Sequence, residues 1–278
     1  MKSSVILVVL AIGQSFVLFT KNIDVSVGSS MGLSAAVCGM MLTNGYSAFL
    51  SIFVAIILGA IIGFVNGIGV AKFRIPAIIM TLGMLGIVRG AMLIFTGGKW
   101  IEDIPNDFKQ LSSIIILGLP ITVWFVLIIL LLLYFFLRKV PLGRYFYAVG
   151  DNEDGARLIG IPVNQVKIYA FMISGISAAL AGCIFVMNIG FVPNQTGTGL
   201  ELQVIAAAVL GGIHLKGGTG SLFGAALGAL FLETISSSLV FLKIPAFWNN
   251  AISGFLLLLI IILDSVMKKW KAERRMNL

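Results

Sequence analysis

The chain has 278 residues, of which 59% are hydrophobic and only 11% are charged, and its formal net charge is +8. Soluble domains carry about 25% charged residues, so this composition excludes an ordinary water-soluble protein. The positive charge does not indicate nucleic-acid binding, because no basic patch is interleaved with aromatic residues on a soluble element.

Nine apolar segments approach or reach the length of about 17–25 residues that a membrane-spanning helix needs. In chain order they are Ser4–Thr20, Val25–Thr43, Tyr46–Val70, Ile75–Gly97, Pro120–Leu137, Lys167–Met187, Glu201–Leu215, Ser221–Val240 and Asn249–Val266. The second and seventh are short or interrupted by glycine, which makes them candidates for broken or re-entrant helices. The pattern predicts an all-α, polytopic membrane protein with a single integral membrane domain over residues 1–278.

The basic residues predict the orientation of these segments, since cytoplasmic loops carry an excess of Lys and Arg. Most of them fall on one side if the segment around Gly150 and the basic tail Lys268–Arg275 are placed in the cytoplasm. We therefore expect a cytoplasmic C-terminus and, with nine segments, an N-terminus outside. Such a start without an upstream signal is awkward, which favours a missing helix before Ser4.

Two short motifs recur at the same separation of 169 residues and predict an internal repeat. The sequence LGA occurs at Leu58–Ala60 and Leu227–Ala229, and RIPA at Arg74–Ala77 corresponds to KIPA at Lys243–Ala246. In the predicted orientation the two copies run in opposite directions, and inverted repeats of this kind place a pathway between two halves near the midplane. The chain then divides into a first half (1–120), a cytoplasmic coupling loop (138–166) and a second half (167–278).

Glycines at helical spacing indicate close helix packing. Gly59, Gly63 and Gly67 form one face, and Gly224 and Gly228 repeat the spacing. Such faces let helix backbones approach each other in lipid, where no hydrophobic force drives association.

The segment Gly150–Pro162 predicts a short charged helix between two long apolar segments. Asn152 can cap it, Glu153 and Asp154 suit its first turn, and Gly160 suits the position after its end. A helix of two turns or fewer is marginal by itself. We expect it to dock on a cytoplasmic partner; the alternative is an ordinary solvated loop helix.

Neither glycine-rich stretch matches a nucleotide-binding loop. TGGKW at Thr96–Trp100 and KGGTG at Lys216–Gly220 both lack the GxxxxGK[ST] pattern. If ATP drives this protein, a separate subunit must bind it.

Three ionisable residues are candidates for polar sites inside the membrane, namely Asp24, Arg89 and Glu233. Such residues usually face a bundle interior or a cavity. Asp24 can cap the helix that starts near Ser26, and Arg89 can bond backbone carbonyls. No chain of carboxylates and histidines typical of a proton-coupled carrier is present, and no catalytic, metal or cofactor motif is found.

Two stretches are predicted to lie on the outer face. Gly97–Ser113 suits contact with a soluble partner. Gly190–Glu201 offers neutral hydrogen-bonding groups suited to a polyhydroxylated solute, namely Asn194, Gln195, Thr196 and Thr198. Both stretches can also be simple connectors.

The stretches YAVGDNEDGARLIGIPVNQVKIYAFMISGISAALAG and IAAAVLGGIHLKGGTGSLFGAALGAL resemble the permease subunits of bacterial ABC importers of the ribose/branched-chain amino acid type. The resemblance covers essentially the whole chain. It implies a transport subunit in the bacterial inner membrane that is not itself an enzyme. It also implies three partners: an ATPase with two nucleotide-binding domains, a second permease, and a periplasmic or lipid-anchored solute-binding protein.

The resemblance assigns ATPase coupling to one set of residues, namely Asn152, Glu153, Ala156, Arg157 and Gly160. Within the family, NIDVSVGS, TGGKWIE and GFVPNQTGTGLE are similar to the permeases of autoinducer-2 import systems, in particular their C-type subunit. A sugar-like signal is then the expected solute, with ribose or another pentose as the alternative. A self-contained channel or carrier is a less favoured alternative, because it has no use for a coupling helix.

Overall fold

The computed structural model describes residues 2–243 and isolated positions between 248 and 262. Its helices are α1 (Lys2–Phe19), α2 (Val27–Thr43), α3 (Ala48–Ala71), α4 (Ala77–Thr96), α5 (Asn106–Leu111), α6 (Ile121–Lys139), α7 (Pro141–Asp151), α8 (Glu153–Leu158), α9 (Val163–Ile189), α10 (Leu200–Leu210) and α11 (Leu222–Phe241). A two-stranded antiparallel hairpin, β1 (Ile115–Ile116) and β2 (Leu119–Pro120), precedes α6. The described part is mostly helical, as predicted.

Five of the described helices are long and apolar enough to cross a membrane, namely α3, α4, α6, α9 and α11. Three predicted segments form shorter apolar helices, α1, α2 and α10. The count of nine spans is thus not confirmed, and the ninth segment, Asn249–Val266, and the basic tail lie outside the continuously described residues. The predicted seventh segment ends early, at Leu210, because Gly211 and Gly212 follow it.

Helix α9 is the centre of the bundle and packs against α1, α2 and α3. The glycine face of α3 lies directly on it, since a Cβ on Gly59 would overlap the carbonyl oxygen of Gly175 and one on Gly63 would overlap that of Phe171. Gly67 would meet the Cα of Ile168 at 2.7 Å. The predicted packing role of this face is confirmed.

The second glycine face packs in the same way. A Cβ on Gly224 would overlap the carbonyl oxygen of Gly211, and one on Gly228 would overlap that of Ala207. These contacts join α11 to α10, so the second glycine face is also a packing surface.

Residues 190–199, which connect α9 to α10, run inward along α2 instead of staying at the outer end of the bundle. Val192 lies near Gly39 of α2, whereas Gly197 contacts Gly28. Gly28 lies 15 residues before the end of α2 at Thr43, or about 22 Å along the helix axis. The prediction that this whole stretch is an outer loop is therefore wrong. We call residues 190–199 the re-entrant segment.

At the opposite end of the bundle, three chain segments meet at glycines. The N–H of Gly218 donates to the carbonyl of Phe19 at the end of α1 (3.0 Å). A Cβ on Gly150 would overlap the same oxygen. Close packing is therefore what the KGGTG stretch provides, in agreement with the absence of a nucleotide-binding pattern.

The two positions that begin the RIPA and KIPA motifs of the predicted repeat share an unusual backbone conformation. Arg74 and Lys243 both have φ near +57°, a left-handed value that non-glycine residues seldom adopt. The residues after Lys243 lie outside the continuously described part, so the inverted repeat stays a prediction.

Glycine substitutions test whether backbone contact holds α3 on α9. Gly63→Ala should lower the thermal stability of the purified protein, because its Cβ has no room and overpacking costs about 1–3 kcal/mol. Gly83→Ala on α4 is the matched control, since nothing lies within 4 Å of its Cβ position. Equal melting temperatures for the two variants would contradict the packing role.

Candidate functional site

The segment Gly150–Pro162, which the sequence predicts to act in coupling and which we call the coupling segment, has the local structure that its sequence predicts. The Asn152 side chain caps α8 by accepting a hydrogen bond from the N–H of Gly155 (2.9 Å). The helix ends at Leu158, and Gly160 follows with φ +82°. Ala156 is buried, whereas Leu158 and Ile159 are 88% and 76% exposed. The segment thus exposes two apolar side chains at the end of a short helix that is anchored on its other face by the buried Ala156. We call Leu158 and Ile159 the tip of α8.

Glu153 ties this short helix to the start of α9. Its carboxylate accepts hydrogen bonds from Lys167 (2.7 Å) and from Arg157 one turn along α8 (2.9 Å). Partial burial raises the pKa of Glu153, but the hydrogen bonds and charges of Lys167 and Arg157 outweigh it, and the net pKa is lowered. These contacts therefore stabilise α8 above the pKa of an unfolded glutamate and are lost as the pH falls through the lowered value.

A polar cavity of about 520 Å³ lies beside the coupling segment. It separates α8 from the connection between α3 and α4, where Phe73 and Arg74 are exposed. Its charged lining residues are Arg74, Glu153, Asp154, Arg157 and Lys167. The cavity and the tip of α8 together form a surface suited to a protein partner with both apolar and charged groups.

The re-entrant segment is held from α4 by an arginine. Arg89 donates through Nη1 to the carbonyl of Thr196 (2.7 Å), so Arg89 does bond a backbone carbonyl, as predicted, but one that belongs to another element. A Cβ on Gly32 of α2 would overlap the same carbonyl oxygen. The irregular backbone is thus fixed against both helices at depth.

The four polar residues predicted for solute contact occupy different environments. Asn194 donates to the carbonyl of Gly98 (2.8 Å), and Thr196 is buried and donates to the carbonyl of Pro193 (2.7 Å). Gln195 and Thr198 are exposed. Asn194 and Thr196 therefore hold the backbone in place through hydrogen bonds, whereas the side chains of Gln195 and Thr198 lie on the surface.

The two predicted outer stretches come together at the top of the bundle. Ile101 and Val192 form an antiparallel bridge with hydrogen bonds of 3.0 and 2.8 Å. The rings of Trp100 and Phe191 stack at 5.8 Å between centroids. They form one surface at the end of the bundle that the sequence predicts to face outward, and we call it the outer platform.

Asp24 is at the centre of a buried polar network that joins four elements. Its carboxylate accepts hydrogen bonds from the N–H and hydroxyl of Ser26 (2.9 and 2.6 Å) and from the hydroxyl of Ser174 on α9 (2.8 Å). Asn66 of α3 donates to the Ser26 hydroxyl (2.9 Å). Gln14 of α1, with its amide oriented to satisfy both groups, bonds the Asp24 backbone N–H and carbonyl at 3.2 Å.

Asp24 does not cap α2 as predicted: Ser26 is the N-cap residue of this helix, and the Asp24 carboxylate bonds Ser26 and not the first helical turn. Among the described residues, ion pairs involve Glu153 and not Asp24. Its hydroxyl and amide partners are therefore what offsets the cost of burying this carboxyl group.

The remaining polar candidates are less organised. Glu233 is half-buried on α11. Cys38 and Cys183 are free and buried within the apolar core. No group of three or more His, Cys, Asp or Glu side chains that could hold a metal ion occurs in the described part of the chain.

Two features of the site escaped the sequence analysis. Helix α7 was not predicted, although Pro141 at its first position and the buried, helically spaced Phe146 and Val149 were available signals. Ser174 contacts Asp24, which lies 150 positions away, and Lys167 contacts Glu153, which lies 14 positions away. Pairs so far apart leave no local signal in the sequence.

Substitution of Asp24 tests the buried network. Asp24→Leu should lower thermal stability, because it leaves the Ser26 and Ser174 donors buried without an acceptor, at about 1–3 kcal/mol for each group. Asp24→Asn keeps an acceptor and a donor in place and should be much closer to the wild type. The measurement is the melting temperature in detergent. An Asp24→Leu variant as stable as the wild type would refute the role, and an Asp24→Asn variant as unstable as Asp24→Leu would show that the charge is required.

Comparison with known proteins finds permeases similar to this chain. The autoinducer 2 import system permease protein LsrC of Salmonella typhimurium is 52% identical over 262 residues, which cover 94% of this chain and 76% of the relative. The proteins of the same name from Photorhabdus laumondii and Escherichia coli K12 are each 50% identical over 94% of this chain and cover 79% and 77% of their own lengths. No solved structure matches.

The family model of the permease component of branched-chain amino acid transport systems matches residues 1–261, nearly the whole chain. The apolar helices of this chain fit a multi-pass membrane permease. The chain belongs to the family of permease components of branched-chain amino acid transport systems.

Proposed function

We propose that this chain is the permease subunit of an ABC importer that carries autoinducer-2, a small sugar-like signal, across the bacterial inner membrane. The observation that supports it most is the 50–52% identity to autoinducer 2 import permeases over 94% of the chain. The partners are an ATPase with two nucleotide-binding domains, a second permease, and a periplasmic or lipid-anchored binding protein. The C-terminus lies in the cytoplasm.

The coupling segment is the contact to the ATPase in this proposal. The exposed Leu158 and Ile159 enter a groove of the ATPase, and the capped, ion-paired base of α8 passes the motion of that subunit to α9 through Glu153 and Lys167. The proposed coupling residues are Asn152, Glu153, Ala156, Arg157 and Gly160.

The re-entrant segment marks the side that faces the solute pathway. Irregular backbone at membrane depth is tolerated where it is buried in protein or lines a water-filled cavity, and the exposed Gln195 and Thr198 do not suit lipid. On α4, the helix whose Arg89 holds this segment, Gly83 and Gly86 are exposed, with open space around them. The second permease and the pathway therefore belong on this face, with Arg89 holding the segment in position. The outer platform receives the binding protein.

A permease for ribose or another pentose is the second candidate, because neutral hydrogen-bonding groups such as Gln195 and Thr198 suit any polyhydroxylated solute. A self-contained channel is disfavoured by the exposed apolar tip of α8, which has no role without a partner.

Solute clearance tests the proposed substrate. A strain that lacks this gene and retains the partner subunits should clear autoinducer-2 from the medium when complemented with the chain, while ribose uptake stays unchanged. Restored ribose uptake without autoinducer-2 clearance would overturn the proposed substrate in favour of a pentose.

Substitutions in α8 test the coupling role. Glu153→Ala and Arg157→Ala should each reduce uptake by at least about fivefold, which corresponds to the smallest typical coupling free energy between two sites. The amount of protein in the membrane and the rate of ATP hydrolysis should be retained. Asp151→Ala is the matched control, because it removes an acidic charge just before α8 at an exposed residue that does not line the cavity and takes no part in the described ion pairs. Normal uptake in both test variants would refute the coupling assignment.

A further inference from the structure

A small cavity lies where α6, α7 and α11 meet, and none of its lining residues belongs to α8 or to the re-entrant segment. Its lining residues are Tyr134, Leu137, Arg138, Tyr147, Gly220, Ser221 and Leu222. Its volume of about 190 Å³ is below the range of about 300–1,000 Å³ that is usual for pockets that enclose drug-sized ligands. The cavity therefore suits one small polar group and not a whole solute.

Among the residues that line this cavity, the charge comes from Arg138, whose side chain is positioned by an aromatic ring. The guanidinium carbon of Arg138 lies 4.8 Å from the ring centroid of Tyr134, one turn earlier on α6. The Tyr134 ring in turn packs edge-on against Phe223 of α11, at 4.8 Å between centroids. Among the described residues no carboxylate pairs with Arg138. Its positive charge is therefore available to an anion.

The other polar groups of the cavity are neutral. The Tyr147 hydroxyl donates to the carbonyl of Gly220 (3.3 Å). Burial raises the pKa of Tyr147 to about 12, against a lowering by Arg138, so that the phenol stays neutral. Ser221 adds an exposed hydroxyl, and Arg144 lies exposed one turn before Tyr147 on α7. An arginine and the Ser221 hydroxyl, with no carboxylate among the lining residues, form a donor set that suits a phosphate oxygen.

The surroundings of the cavity distinguish a lipid from a soluble anion. On α6, Phe135 and Leu131 lie three and seven residues before Arg138 and are 54% and 45% exposed. On α11, Leu227 and Leu230 follow Phe223 at helical spacing and are 66% and 44% exposed. Two exposed apolar faces thus extend from the cavity into the span. An acyl chain can lie along them while its headgroup occupies the cavity.

We propose that this cavity binds the phosphate group of an anionic phospholipid, with Arg138 as its charged contact. Basic pockets between membrane helices on the cytoplasmic side bind anionic headgroups, and the predicted orientation places this end of α6 in the cytoplasm. The bound lipid joins α6, α7 and α11 beside the coupling segment. The proposal is independent of the identity of the solute.

The test uses the purified importer complex, stripped of lipid in detergent, and measures the affinity for phosphatidylglycerol and the melting temperature with and without it. The probes for comparison are phosphatidylcholine and inorganic phosphate. Arg138→Gln should weaken phosphatidylglycerol binding by about fivefold or more, the effect of one basic residue near a lipid surface. Lys139→Gln removes the neighbouring charge, which does not line the cavity, and should bind like the wild type.

Ser221→Phe provides a second test that leaves Arg138 in place, because its ring fills the cavity. It should weaken phosphatidylglycerol binding while the melting temperature without lipid stays close to that of the wild type. The proposal would be overturned if Arg138→Gln and Lys139→Gln bound phosphatidylglycerol equally well. Equal binding of phosphatidylcholine would also overturn it, and so would inorganic phosphate that stabilised the complex as much as the lipid did.

Discussion

Backbone contact between α3 and α9 is the constraint on which the rest of the bundle depends. The carbonyl oxygens of Gly175 and Phe171 occupy the places that side chains on Gly59 and Gly63 would fill. In a membrane, helices gain little from hiding apolar side chains from lipid, so association depends on such close packing. Since α9 is fixed along this face, the coupling segment at its start and the re-entrant segment at its end are fixed relative to each other.

Polar side chains inside the bundle provide hydrogen-bond partners where the backbone is not helical. The turn before α2 has Gln14, Ser174 and Asn66 as partners around Asp24 and Ser26. The re-entrant segment relies instead on Arg89, which reaches its backbone from α4. In both places a side chain from a distant helix replaces the hydrogen bonds that a continuous helix would make by itself. Short helices such as α2 and α10 are possible in this fold because those contacts exist.

The sequence predicted what depends on local patterns. The apolar helices within residues 2–243, the Asn152 cap and the packing role of the Gly59 face are confirmed, because hydropathy, capping and glycine spacing act over a few residues. What the sequence did not predict depends on distant pairs, such as Ser174 with Asp24 or Arg89 with Thr196. The course of the re-entrant segment belongs to this class. Its composition resembles that of a surface loop, and only the glycines of α2 that let it pass reveal its depth.

Helix α9 links the coupling segment directly to the side of the bundle that we propose for the solute pathway. Its 27 residues extend about 40 Å, from the Glu153–Lys167 pair at one end to Gly190 at the other. Because an α-helix resists stretching and this one is held by α3 and by the Asp24 network, α8 is expected to move together with α9 and not independently of it. Gly190, with φ +83°, is where the chain turns from this helix into the re-entrant segment. A single helix therefore connects the Glu153–Lys167 pair with the groups proposed for the solute, and beyond that pair no further relay through side chains is needed.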